Sequence, residues 1–158
     1  MKNWSGHVDF TAESLSTPRT VSELQRLVAT SPRIRALGTG HSFNDLANTD
    51  GVHVSLTALD QEVTIDTDAR VAWIPAAMRY GQAARLLDAE GWAVGNMASL
   101  GHISVAGTVA TGTHGSGDRN PTLSASVAAL ELVTADGDIV IVDDDNPDLP
   151  RAGAIVSL

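Results

Sequence analysis

Hydrophobic positions along this chain come in short runs whose spacing changes from helical to extended and back, with glycine-rich or polar breaks between them. Thr20-Val21-Ser22-Glu23, just after Pro18, has the spacing of a helix capping box; Leu24, Leu27 and Val28 recur at helical intervals through Ala29, and Ser31-Pro32 ends the segment. Ile34 to Leu37 reads as a short strand running into a glycine turn, and Val52 to Leu56 alternates like a second strand. Val63 to Asp66 and Val71 to Ile74, separated by Thr67-Asp68-Ala69-Arg70, predict an antiparallel hairpin. Arg79 to Glu90 has a helical pattern with Ala83, Leu86 and Leu87 on its apolar side and Gly91 as its cap. Arg79 and Tyr80 read as a surface face, Trp73 and Trp92 as packing residues. Asn96 to Gly117 is rich in Gly, Ser and Thr and poor in charge, which predicts a buried stretch. Val127 to Val133 and Ile139 to Val142 flank Asp136-Gly137, a hairpin signal. Asp143 to Asp148 is an acidic, solvated loop, and the chain closes on the apolar run 153–158.

Two glycine-rich segments carry the candidate chemistry. The first is Ala36-Leu37-Gly38-Thr39-Gly40-His41-Ser42-Phe43-Asn44. Glycine lets the backbone take positive φ and approach a ligand, and the amides of such a turn suit a pyrophosphate. His41 adds a side chain that is nucleophilic when neutral. The second runs from Val105 to Gly117 and places His114 in a similar glycine setting. Two such loops suggest a long, phosphate-bearing cofactor. No Gly-Lys-Ser/Thr follows the first turn, and no third glycine opens a helix, so neither standard nucleotide loop fits. The alternative for His41 and His114 is a ring bonded to local backbone. The five histidines lack metal-ligand spacing and there is no cysteine, which argues against a metal site. His7 and His53 read as surface or strand residues, and His102 is open between a supporting and a structural role. Ser99 has no evident general base nearby in sequence, so it reads as a pocket hydrogen-bond donor rather than a hydrolase nucleophile.

At 158 residues the chain is long enough for one domain with its own core, built from aliphatic residues because aromatics are only 4%. A net charge of −9 argues against nucleic acid or an anionic membrane surface as partner. Met1 to His7 has no apolar stretch of the signal-peptide kind and no run approaches a membrane span, so the expectation is a cytoplasmic protein.

The turn Gly38-Thr39-Gly40-His41-Ser42-Phe43-Asn44 resembles the histidyl-flavin loop of the vanillyl-alcohol oxidase superfamily. Asn96-Met97-Ala98-Ser99-Leu100 followed by His102 to Gly117 is similar to the second flavin loop of the alditol oxidases and sugar-lactone oxidases within it, and Leu130 to Gly137 also fits. The likeness runs from about Asn3 to Leu158. It implies an α+β fold, the FAD-binding PCMH-type domain, with two α/β lobes over about residues 1–58 and 59–158 and FAD between them. It also implies that His41 carries a covalent bond to the 8α-methyl carbon of FAD. Backbone groups of Ala36, Leu37, Gly38, Thr39, Gly40, His41 and Ser42 would meet the pyrophosphate, and Ser104, Gly107, Thr111, Gly112, Thr113 and His114 would line the rest. Ser99 would face the flavin ring and act catalytically by orienting a polyol hydroxyl. The implied activity is oxidation of CH–OH groups of alditols or sugar lactones by hydride transfer to flavin, with O2 as the final acceptor.

There are departures from the family's pattern. Gly101 stands where these oxidases tend to have proline, which would loosen the loop before His102, and Ile74-Pro75-Ala76-Ala77-Met78 replaces a more glycine-rich stretch. Family members also continue beyond the length of this chain into a substrate (cap) domain. The resemblance therefore implies a C-terminally truncated domain with weak or no turnover alone, its alternatives being a non-catalytic flavin-binding remnant or half of a split enzyme. An open sheet edge would invite a complementing chain or self-association.

Overall fold

A computed structural model of the chain describes residues 1–143 and 145. The acidic residues after Asp143, Asp145 excepted, and the apolar run 153–158 lie outside the described residues. The fold is α+β and divides into two compact units, residues 1–60 with 132–140, and residues 61–131 with those from 141 onward.

The first unit is built on three parallel strands, β1 (Ser14–Ser16), β2 (Ile34–Ala36) and β3 (Val52–Val54), in the order β1-β3-β2. Helix α1 (Val21–Thr30) lies in sequence between β1 and β2. Its start follows the capping logic: Thr20 Oγ1 accepts from the Glu23 amide at 3.2 Å, while the Glu23 carboxylate reaches one residue further back than the usual box, to the Arg19 amide at 2.8 Å. β3 is the central strand, and His53 within it is paired with Leu15 on one side and Arg35 on the other. Of the two expected settings, surface or strand, His53 takes the strand: it is 1% exposed, donates from Nε2 to the Ala47 carbonyl at 2.8 Å, and meets the Phe10 ring edge-on. Leu56, expected in the same strand, instead begins a short 3-10 turn (Leu56–Ala58).

Gly51 enters β3 so close to the neighbouring chain that a Cβ would lie 2.2 Å from the Arg33 carbonyl oxygen, the acceptor of the Val52 amide. Gly51→Ala is therefore expected to lower unfolding free energy by about 1–3 kcal/mol, read as a lower urea midpoint with an unchanged slope.

In the second unit, β4 (Thr64–Asp66) and β5 (Val71–Trp73) form the expected antiparallel hairpin. Asp66 Oδ1 accepts from the amides of Asp68 and Ala69, and Arg70 takes a left-handed φ of 55° to close the turn. Trp73 is largely exposed rather than packed. Helix α2 (Tyr80–Ala89) ends in a Schellman arrangement, with Gly91 at φ +78° donating to Asp88 and Trp92 donating to Leu87. Its buried face is Tyr80, Ala83 and Leu87; Leu86, expected there, is 44% exposed, and Tyr80 takes the inward place. The core of this unit joins Tyr80, Ala98, Ile103, Val109 and Leu123.

Strands β6 (Ala129–Val133) and β7 (Ile139–Asp143) pair as the predicted hairpin, through a three-residue loop of Ala135, Asp136 and Gly137. The Gly137 amide donates to the Thr134 carbonyl, the Thr134 amide donates to Asp138, and Gly137 sits at φ +84°.

Candidate functional site

The first glycine turn leaves the sheet at the end of β2. The Leu37 amide extends the parallel ladder by bonding to the Val54 carbonyl at 2.8 Å, and Gly40 then reverses the chain at φ +67°. The segment before β1 folds back onto this turn. Trp4 donates its amide to the Gly40 carbonyl at 2.9 Å, and Asn3 donates from Nδ2 to the Ser42 carbonyl at 2.9 Å. Asn3 is itself buried; its Oδ1 accepts from the Val8 amide at 3.0 Å and its side chain bonds with the Ser5 hydroxyl.

His41 is half-buried, and its Nδ1 lies 3.1 Å from the Thr39 carbonyl. A carbonyl can only accept, so this bond puts a proton on Nδ1. The imidazole stacks on the Trp4 indole, with centroids 5.2 Å apart and planes 21° apart. Phe43 meets Trp4 edge-on. The carbonyls of Thr39, Gly40 and Ser42 thus already have protein contacts, which weights the turn's remaining hydrogen-bonding capacity toward N–H groups. Residues 36–44 include no Lys or Arg, so an anion held here is held by backbone dipoles. That donor set suits a diphosphate.

The second segment lies wholly in the other unit. Ser104 holds the N-cap position of the short helix α3 (Val105–Val109) without a side-chain capping bond and is buried, and a Cβ on Gly107 would fall 2.8 Å from its hydroxyl. Thr108 is buried on the same helix, and Thr111 Oγ1 donates to the Gly107 carbonyl. Gly112 turns the chain at φ +65°, Thr113 bonds back to the Thr108 carbonyl, and its own carbonyl accepts from Leu123. His114 is exposed with Nδ1 3.0 Å from the Gly115 carbonyl, and Ser99 and His102 are exposed.

Gly115 packs so closely on the Asn96–Met97 peptide that a Cβ would meet Asn96 Oδ1 at 2.2 Å, which brings the loop of Ser99 and the loop of His114 together. The stretch expected to be buried is thus buried only in its middle, at Ala98, Ile103, Ser104, Thr108 and Val109, while residues 116–120 are exposed. The loop before His102 is not loosened by Gly101. The Gly101 carbonyl accepts from Gly81 at 2.7 Å, Tyr80 donates to Ile103, and Val105 and Ala106 donate to Met78 and Ala76.

Asn3, Trp4 and Tyr80 are the residues that sequence reasoning missed. No periodicity marks the first two, because their partners lie nearly forty positions away. Tyr80, the chain's only tyrosine, hydrogen-bonds Thr108 at α3, and burial raises its phenol above the ordinary 10.0 despite that bond. Below the ordinary value both folded and unfolded phenols are neutral. As pH rises past it, the unfolded phenol ionises first, so stability falls until the folded phenol also ionises. Tyr80→Phe should flatten that alkaline fall in denaturant midpoint, and tyrosinate absorbance of the native chain should develop later than that of the unfolded chain.

The FAD binding domain family model matches residues 12–143. The chain is 49% identical over 138 residues to an alditol oxidase of Streptomyces sp., a match covering 85% of this chain and 33% of that protein. It is 31% identical over 142 residues to an L-gulono-1,4-lactone dehydrogenase of Mycobacterium tuberculosis (87% and 33% covered), and 28% identical over 163 residues to a D-arabinono-1,4-lactone oxidase of Kluyveromyces lactis (98% and 31% covered). The chain spans about a third of the length of these relatives.

Proposed function

Because this chain belongs to the FAD-binding domain family, we propose that it is the flavin-holding part of an oxidoreductase that oxidises CH–OH groups of alditols or sugar lactones. FAD, when bound, accepts a hydride from the alcohol carbon and passes the electrons on; dioxygen is the acceptor proposed here, in keeping with the oxidase names of two relatives. Residues 36–42 receive the pyrophosphate through their amides. Ser104, Gly107, Thr111, Gly112, Thr113 and His114 are assigned to the remaining length of the dinucleotide, and Ser99 to orienting the substrate hydroxyl. His41 is the covalent tether. Forming it would replace a ring N–H and a C–H of the 8α-methyl group by an N–C bond, the two protons and two electrons released going to dioxygen as hydrogen peroxide.

The observation that carries this reading is the turn itself. Three carbonyls are engaged by the protein, no cation is present, and a nucleophilic ring is fixed at its exit. The test is intact mass under denaturing conditions after expression with excess riboflavin. A gain equal to FAD less two hydrogens supports the tether. FAD recovered only in the released fraction leaves a flavin domain without the tether. No flavin in either fraction rejects flavin holding by this chain.

A further inference from the structure

The aromatic side chain over His41 has no evident structural task. Trp4 is 64% exposed, so its indole contributes little to any core, yet it lies nearly parallel to the His41 ring at 5.2 Å. Its backbone is not free to wander. The Trp4 amide is bonded to Gly40, the residue before His41, and the preceding Asn3 is bonded to Ser42, the residue after it. His41 is therefore bracketed on both sides by consecutive residues of one segment, with Thr39 holding Nδ1. A half-buried imidazole on a glycine turn would otherwise sample more than one rotamer, and each would present its nitrogens differently. Bond formation at a ring nitrogen needs one of them held in place.

We propose that Trp4 is the positioning residue for His41: its indole fixes the plane of the imidazole and so sets the rate at which FAD becomes covalently attached. This rests on the tether reading above. Trp4 takes no part in the bond changes already described; it holds the ring whose nitrogen makes the bond. Because its side chain is mostly in solvent, removing it changes the orientation of His41 far more than the stability of the unit.

Two readouts test this on the full chain. The first needs no flavin: the His41 ring protons of the apo chain, followed by NMR, should carry an upfield ring-current shift that Trp4→Ala abolishes and Trp4→Phe partly keeps. The second is the time course of adduct formation when apo chain is mixed with FAD, read by mass. Trp4→Ala should slow it by about tenfold or more, with Trp4→Phe in between and the affinity for dissociable FAD unchanged. Identical His41 shifts in wild type and Trp4→Ala overturn the proposal, as does a changed shift with equal rates of attachment. A wild-type chain that binds FAD but never forms adduct rejects the tether itself and this role with it. That outcome is distinct from failure of Trp4 alone, in which both proteins form adduct equally fast. Trp4→Ala that has lost its native thermal transition also overturns it, because the side chain is then structural.

Discussion

His41→Ala should abolish the proposed covalent adduct completely while leaving dissociable FAD bound: on denaturation the polypeptide should have its own mass and all flavin should be found in the filtrate. The separation of the two effects follows from where the contacts lie. The anion binding proposed for residues 36–42 would use backbone amides, which an alanine at position 41 retains, and Gly40 still supplies the positive φ that turns the chain. Only the ring nitrogen is lost. Because an imidazole on the 8α carbon withdraws electrons, the flavin bound to the variant should also have a lower reduction potential than the tethered one, measured by equilibration with redox dyes. A His41→Ala chain that still carried flavin through denaturation would place the bond on another residue, with His114 the next to examine.

Asn3→Ala should be the most destabilising single change near the turn. Its side chain serves the Ser42 carbonyl at 2.9 Å and the Val8 amide at 3.0 Å, in a buried position. A methyl group serves neither, and each buried polar group left unmade costs about 1–3 kcal/mol. For a chain of this size each kcal/mol lowers the melting temperature by roughly 2–4 °C. Asn3→Asp keeps the acceptor for Val8 but sets a carboxylate oxygen against the Ser42 carbonyl in a buried position, so its melting temperature should fall at least as far. Equal melting temperatures for wild type and Asn3→Ala would mean that water replaces both bonds and that the clasp is not a source of stability.

What could be read from the sequence was what residues close together decide. The Thr20–Glu23 cap, the Gly91 end of α2 and the β4–β5 and β6–β7 hairpins all depend on contacts within a few positions, and their residue types announce them. The glycine turn before His41 was legible for the same reason. Errors came where a distant partner decides. Leu86 and Tyr80 both fit the helical stripe of α2, and only α3, which carries Thr108, selects Tyr80 as the inward residue. His53 fits a strand from its neighbours alone, but β1 and β2 on both sides of it decide that it is buried. Nothing local marks Gly51 or Gly115 as sites where another peptide leaves no room for a Cβ. Asn3 and Trp4 carried no pattern at all, since their meaning resides in residues 40–42.

The clasp also has a history during synthesis. Asn3 and Ser42 are 39 positions apart, so at 5–20 residues per second Asn3 is polymerised roughly 2–8 s before its partner. Throughout that interval the Trp4 indole has no imidazole to stack on, and the Asn3 amide has only its near neighbours. Closure of the clasp therefore waits until residues 40–42 have been made. Under the proposed tether, flavin that arrives earlier would meet a histidine not yet held in one orientation, and the clasp can close before β3, the strand that pairs with β2, has been made.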